Sequence, residues 1–337
     1  MRVGRHIGRA SARAGLVGNP SDGFGGAVLA TPVHALSATV TVVDAPVTSV
    51  HGPARAWATV SALTEDVAQA GHEGGDRLVT AAVTQLAAWV REHRSRGDVD
   101  VDDDRVRLRW RTTIPRSVGL AGSSAIVVAT MRALVQRWSL QVDPLVLAVL
   151  AVEAERSLGI TAGMQDRVVQ AVGETVLMEF GEGAWTTVDG CRVPAVRPVS
   201  PPSPIPLYVA WRPLAASPSH HYHRSLADRF RAGEEPVVDA MQRLGALAVE
   251  GAAAVAAGDG AALAMLMDES FAARTAVAPQ GDAHLAMVDA ARAAGLSATS
   301  AGSGGAIVGV LDGHRSSQRL RTALEPLGCE VRRLQLT

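Results

Sequence analysis

The sequence predicts an α+β protein folded as two lobes. Its 337 residues exceed one ordinary domain and suit two, because a domain typically takes about 100–200 residues. A proline-rich run, Val193 to Pro206 (VPAVRPVSPPSPIP), reads as irregular and as the seam between them, which puts the lobes at residues 1–200 and 201–337. On each side of that seam both strand-like and helix-like periodicities occur.

Ser37 to Val43 (SATVTVV) alternates small polar and apolar residues, as a half-buried strand does. Asp76 to His93 carries Leu78, Val79, Ala82, Val83, Leu86 and Val90 at helical spacing. A charged loop, Arg94 to Asp104, leads to a strand with Val106, Leu108 and Trp110 on one face. Ser123 to Trp138 is a helix entered from a glycine-rich turn, and Asp143-Pro144 supplies the N-cap and first-turn pair of a second helix running through Glu155. Val176 to Phe180 closes the first lobe as a strand. The second lobe reads as a strand (Leu207 to Trp211), a long Ala-rich helical region (Val237 to Ala276), a helix (Asp282 to Ala294) and a strand after a glycine loop (Ala306 to Leu311). The run Gly251 to Ala264 is of low complexity, but alanine is the best helix former, so a packed helix is expected there. Hydrophobic residues make up 47% and aromatics only 4%, so the core is built from Ala, Val and Leu. Met265 and Met267 are assigned to it.

The 32 basic residues balance 33 acidic ones, without the basic excess of a dedicated nucleic-acid binder. Every one of those 32 is arginine; the chain has no lysine. That excludes pyridoxal-phosphate enzymes and lysine-dependent aldolases. It also excludes P-loop NTPases and protein kinases, which place a lysine on the phosphates. Phosphate chemistry in this chain must rest on backbone amides, a metal and arginine. Two cysteines, Cys191 and Cys329, make neither a disulfide scaffold nor a metal motif, so a reducing cytoplasm is expected. The longest apolar run, Leu145 to Val152, is far too short to span a bilayer, so no membrane partner is expected. Arg2, Arg5, Arg9 and Arg13 precede no apolar stretch of signal-peptide length.

Three glycine-serine motifs stand out. The first, Ala12 to Gly26 (ARAGLVGNPSDGFGG), runs from a strand into turn chemistry; it is either a surface turn or a loop whose Asp22 faces a polyhydroxylated substrate. The second, Pro115 to Ala125 (PRSVGLAGSSA), is more specific. Gly119 and Gly122 allow a ligand close to the backbone, and Ser123 and Ser124 sit at a helix entry, where free amides and the positive dipole end bind anions. A serine there is often just a cap, but the flanking glycines favour a phosphate loop, with a hydroxyl available to Mg²⁺. The third, Thr299 to Ala306 (TSAGSGGA), reads on its own as a tight helix-to-strand turn.

In this order and spacing the three motifs resemble those of the GHMP kinases, across nearly the whole chain. The second matches the family's PxxxGLxSSA loop with one extra residue, Ala121 or Gly122. The wording GLAGSSAIV, ARAGLVGNPSDGFGG, GITAGMQDRVVQAVG and HYHRSLADRF looks most like the glucuronokinase branch. The resemblance implies an N-terminal α+β lobe with a left-handed βαβ unit and a ferredoxin-like C-terminal lobe. It implies an ATP- and Mg²⁺-dependent kinase acting on a sugar or sugar acid, at its anomeric hydroxyl. ATP falls to the loop of Pro115, Gly119, Leu120, Ala121, Gly122, Ser123, Ser124 and Ala125. Mg²⁺ falls to Ser124 and Glu155, with Glu153 as competitor; Asp166, eleven residues beyond Glu155, falls to the role of base. Glu155 is alternatively a solvated helix residue paired with a neighbouring arginine. Arg13 stands where mevalonate kinase has a catalytic lysine, and is alternatively a structural partner of Asp22 or Asp166. Arg167 is expected to turn away into a salt bridge. Acceptor binding falls to Asn19, Ser21, Asp22, Gln165, Gly302 and Gly304. Two positions depart from the pattern: Gly173-Glu174 replaces a double glycine, and Ser300 replaces a glycine. His220, His221 and His223 suggest zinc, but without a spaced carboxylate or cysteine they read as polar surface.

Overall fold

The computed structural model describes residues 4–52, 55–93, 100–213, 220–313 and 315–337; the side chains of residues 220–225 lie outside the description. The histidine cluster and part of the Arg94 to Asp104 loop therefore fall outside the described residues.

The chain begins with a long hairpin, β1 (Arg5–Val17) and β2 (Ala27–Asp44), joined through a 3-10 turn at Ser21–Phe24. Short strands β3 (Thr48–Val50) and β4 (Ala56–Trp57) follow, then helices α1 (Val60–Ala70) and α2 (Arg77–Glu92) and strand β5 (Val106–Thr112). Next come α3 (Gly122–Arg137), α4 (Pro144–Arg156), α5 (Met164–Val172), β6 (Val176–Glu179), β7 (Trp185–Val188) and β8 (Cys191–Pro198). The remainder is β9 (Ile205–Trp211), α6 (His220–Arg231), α7 (Glu235–Ala257), α8 (Gly260–Val277) and α9 (Asp282–Ala293), then β10 (Thr299–Ser300), β11 (Ala306–Val310), α10 (Ser316–Leu324) and β12 (Glu330–Leu336).

The strands form two sheets. The first has the order β4-β3-β5-β2-β6-β8-β7 with β1 on β2; the second is β10-β11-β9-β12 and wholly antiparallel. The eighteen residues of β2 serve two partners: Ala38 to Asp44 pair with β5, and Ala27 to Ala30 pair with β6. Helix α3 lies against this sheet and is buried without a break from Ser124 to Met131, and again at Ala133 and Leu134. It is apolar nearly all round, the pattern of a central helix rather than a surface one. It can approach β1 because residue 8 is glycine: a Cβ there would stand 1.9 Å from the Ala129 carbonyl oxygen. At its far end, Asp104 receives hydrogen bonds from Arg137 (2.9 Å) and Trp138 Nε1 (2.8 Å), so the acidic end of the preceding loop fastens the helix.

Three expectations and one alternative reading need correction. Val193 to Pro206 is not irregular throughout, since Val193 to Pro198 lie in β8. Pro194 is tolerated because it sits where β8 changes partner, from β7 (residues 191–194) to β6 (195–198). The Ala-rich region is two helices, because Gly258 adopts a left-handed conformation (φ 73°) and Asp259 caps α8 through Ala262 N–H (2.9 Å). Met265 is 70% exposed whereas Met267 is buried: the inward face of α8 runs through Leu263 and Met267, and residue 265 points away. Glu155 is wholly buried, not a solvated helix residue.

One apolar cluster runs through both sheets, joining Val28, Leu29 and Val40 to Leu207, Val209, Leu247 and Leu263. Helix α7 packs on β2 and β1, so the second lobe covers part of the first lobe's sheet. Among the described residues no helix is long and apolar enough to cross a membrane.

Candidate active site

The glycine motifs converge at the end of β1. Arg13 is 6% exposed, and its guanidinium donates from Nε to Asp166 Oδ1 (2.6 Å) and from Nη1 to the carbonyls of Ala301 (2.6 Å) and Gly119 (3.2 Å). One side chain thus joins the first motif to the second, the third and the aspartate. Its Nη2 makes no hydrogen bond among the described residues. Gly15 N–H adds a bond to the Ala301 carbonyl (2.8 Å).

The third motif is more than a turn, because its backbone packs against the second. A Cβ on Gly119 would stand 2.6 Å from Gly304 O, and one on Gly302 would stand 2.2 Å from Gly119 O. Both glycines are required by that approach. Gly302 and Gly304 divide in role: Gly302 is packed against Gly119 and Arg13, while nothing surrounds the Cβ position of Gly304.

Within the second motif Ser117 (φ 57°), Gly119 (φ 74°) and Ala121 (φ 58°) are all left-handed. Such alternation turns successive amides inward, the geometry of an anion-binding nest. Ala121 is the N-cap of α3, so the amides of its first turn point out of the helix into the loop. Gln170 Nε2 holds the Ala121 carbonyl (2.8 Å) and Ser124 Oγ donates to it (3.2 Å). Leu120 and Ala125 are buried in the core and anchor the loop; Pro115, Gly122 and Ser123 are half-buried.

Behind the loop lie two carboxylates and a second arginine. Glu155, in the last turn of α4, is fully buried; its Oε2 accepts from Arg167 Nε (2.6 Å) and Nη2, and its Oε1 has no partner. Glu153 instead pairs with Arg156 in solvent (2.7 Å), which leaves Glu155 as the carboxylate beside the loop. Arg167 does form a salt bridge, as expected, but with Glu155 inside the site rather than pointing away from it: it is buried between Glu155 and Asp166, with Nη1 3.0 Å from Gly163 O and 3.4 Å from Asp166 Oδ2. Burial pushes the Asp166 carboxyl up, but the Arg13 and Arg167 guanidiniums outweigh it and hold it below the usual carboxylate range.

The first motif supplies the opposite wall. Burial and the nearby Asp166 charge push Asp22 up to about 7, against a smaller opposing pull from Arg13. The Asp22 carboxylate lies over Gly163, where a Cβ would stand 3.6 Å from Oδ2. Gln165 and Asn19 crowd Gly15, where a Cβ would meet their side-chain nitrogens at 3.0 and 3.4 Å; Gln165 Nε2 is buried without a partner. Ser21 is fully buried and its hydroxyl donates to Ala27 O (2.8 Å), which locks the turn that carries Asp22.

Sequence reasoning missed two supporting residues. Arg274 holds the Gly302 carbonyl (2.8 Å). His284 accepts from Gly305 N–H at Nδ1 (3.3 Å), so Nε2 carries its proton toward Ser300 Oγ (2.8 Å). Burial and Arg274 push that imidazole down to about 4, which agrees with a neutral ring. Ser300, the departure from glycine, is therefore half of a buried pair. The other departure is explained too: Gly173 alone takes the left-handed C-cap of α5 (φ 84°), and no second glycine is needed.

The donor set can be tested against Mg²⁺. The ion takes hard oxygens, keeps several waters and needs only one or two protein groups, so the lack of a larger acidic or histidine cluster among the described residues is no obstacle. Glu155 Oε1, buried and unpartnered, and the Ser124 hydroxyl are such oxygens, and the residues fit.

A nest of amides at a helix start, a partnerless carboxylate oxygen behind it, and an ionised aspartate gripped by an arginine suit transfer of a phosphoryl group to a hydroxyl. The fold and site thus define a phosphotransferase of the small-molecule kind. Residues 78–174 match the GHMP kinases N terminal domain. Glucuronokinase 1 of Arabidopsis thaliana is 30% identical over 318 residues, covering 89% of this chain and 83% of that protein. Phosphomevalonate kinase of Streptococcus pneumoniae, in complex with phosphomevalonate and AMPPNP, shares the fold with a TM-score of 0.78 at 15% identity, over 98% of this chain and 99% of that one. Galactokinase of Lactococcus lactis, complexed with galactose, does so with a TM-score of 0.71 at 15% identity, over 98% and 93%. The chain belongs to the GHMP kinase family, and it is an ATP-dependent kinase.

Proposed function

We propose that this protein is an ATP- and Mg²⁺-dependent sugar kinase that phosphorylates glucuronate at its anomeric hydroxyl. The observation that carries the reading is the Arg13 junction, where one guanidinium ties all three motifs to Asp166. Similarity to a glucuronokinase over most of both chains supports the acceptor.

In this reading the nest at Ser117 to Gly122 and the first-turn amides of α3 cradle the triphosphate, the work a lysine does in other phosphate loops. Ser124 and Glu155 would hold Mg²⁺, which would supply positive charge to neutralise the phosphates. Asp166 accepts the hydrogen bond of the attacking hydroxyl. Its depressed pKa makes it a weak base, and that suffices, because the loose transition state of phosphoryl transfer leaves the hydroxyl proton in place until late. Arg13 fixes Asp166 through Nε and offers Nη2 to the transferring group. Asp22, Asn19 and Gln165 supply hydrogen-bonding atoms to the acceptor, and lobes 1–200 and 201–337 close around both substrates to exclude water. The protein acts in the cytoplasm, where ATP is at hand and its two free cysteines stay reduced.

The test is ADP release with Mg-ATP and a panel of glucuronate, galacturonate, glucose and galactose, followed by phosphorus NMR of the product. The expected result is ADP release with glucuronate and an anomeric phosphate. Release with another sugar and none with glucuronate overturns the acceptor; a phosphate on another carbon overturns the position.

A further inference from the structure

We propose that Arg167 is a positioning residue that decides which carboxylate oxygen the site offers to Mg²⁺. The proposal rests on the metal role given to Glu155 above and extends it to the side chain that holds Glu155.

Glu155 and Asp166 present four carboxylate oxygens, and three of them are taken. Asp166 Oδ1 holds Arg13 Nε at 2.6 Å, Asp166 Oδ2 faces Arg167 Nη1 at 3.4 Å, and Glu155 Oε2 accepts from both Arg167 Nε and Nη2. Only Glu155 Oε1 lacks a partner, in a side chain with no exposure at all. A buried, charged and unsatisfied oxygen is costly, so it marks the place a cation completes.

Arg167 creates that asymmetry. Its Nε and Nη2 both donate to Oε2, so the arginine occupies one carboxylate oxygen and leaves the other open. Its orientation is fixed in turn by Nη1 on the Gly163 carbonyl at the start of α5 (3.0 Å). Because Arg167 follows Asp166 directly, one planar group spans both acids. A lysine, with its donors on a single atom, reaches one acid at a time. Arg167 therefore stands to Glu155 as the outer partners of a metal site stand to its ligands, where loss typically costs about 10–100-fold in metal affinity.

The test is Mg²⁺ titration of AMPPNP binding by calorimetry, with no sugar present, on the wild-type protein and on Arg167→Lys, Glu155→Gln and the double variant. Arg167→Lys should raise the Mg²⁺ concentration that half-enhances nucleotide binding by about 10–100-fold, with metal-free nucleotide affinity unchanged. Glu155→Gln should flatten the Mg²⁺ dependence, and Arg167→Lys added to it should change nothing further, because the arginine acts through the glutamate. Unchanged Mg²⁺ dependence in Arg167→Lys, or an equal shift with and without Glu155, overturns the proposal. If circular dichroism shows Arg167→Lys unfolded, Glu155→Gln decides alone, and wild-type metal dependence in it overturns the proposal. Since no acceptor enters the assay, a protein that binds Mg-nucleotide as expected but ignores glucuronate loses only the acceptor assignment.

Discussion

Asp166 and Arg13 form a mutually supporting pair: the arginine holds the carboxyl below its usual range, and the carboxylate holds the guanidinium in place. Asp166→Asn should lower kcat by about 10²–10⁴-fold, while AMPPNP affinity by calorimetry stays within a few fold. Arg13→Lys keeps the charge but loses the fork that reaches Gly119 and Ala301, so kcat and melting temperature should both fall, and Arg13→Ala should fall further in each. Asp22 allows a pH test. Its carboxyl is raised from 3.8 to about 7, so the folded protein holds this proton more tightly than the unfolded chain. Stability is therefore lost as pH rises through that window. Asp22→Asn has no such loss, and its melting temperature should gain on wild type between pH 4 and about 7 and hold that gain above. At this scale the family resemblance pointed to Asp166, Glu155 and the serine loop, and Arg13 does link Asp166 to that loop. The sequence was not readable for Arg167, Arg274 or His284, whose partners lie in other elements, nor for Ser21, whose burial no local pattern reveals.

The elements that matter most are two loops in backbone contact. Their glycines exist for each other, so Gly302→Ala drives a methyl into Gly119 O. Such overpacking costs about 1–3 kcal/mol, read by urea melts, and should weaken AMPPNP binding as well, since the phosphate loop moves with the clash. Below the third motif, Ser300→Gly restores the commoner residue yet leaves the His284 Nε2–H unpaired, at a cost of about 1–3 kcal/mol. Helices and strands with strong periodicity, such as α2, α9 and β11, were legible in the sequence within a few residues. The strand β8 was hidden because proline normally rules out a ladder, and only its change of partner makes room for one. The break between α7 and α8 was written as Gly258-Asp259, a stop followed by a cap, inside a run whose alanines drowned it out.

For the molecule as a whole, composition forecast the core well: Ala, Val and Leu fill it, and six tryptophans are spread thinly. What composition does not carry is that the core is shared. The apolar cluster passes from the first sheet through α7 and α8 into the second. The two lobes should therefore unfold in one calorimetric transition. A fragment of residues 1–200, stripped of the α7 surface that covers β2, should bind hydrophobic dye and run as an aggregate in gel filtration; a compact, dye-free fragment would refute that coupling.

The Arg13 junction also has a temporal side. One of its strongest bonds is to the carbonyl of Ala301, made 288 residues later in the chain. A polypeptide still emerging from the ribosome can hold the serine loop, Glu155 and Asp166, but it cannot seat Arg13 on the third motif until Ala301 has been synthesised. A chain that stops short of Ala301 therefore carries Arg13 without the bond that joins the first motif to the third.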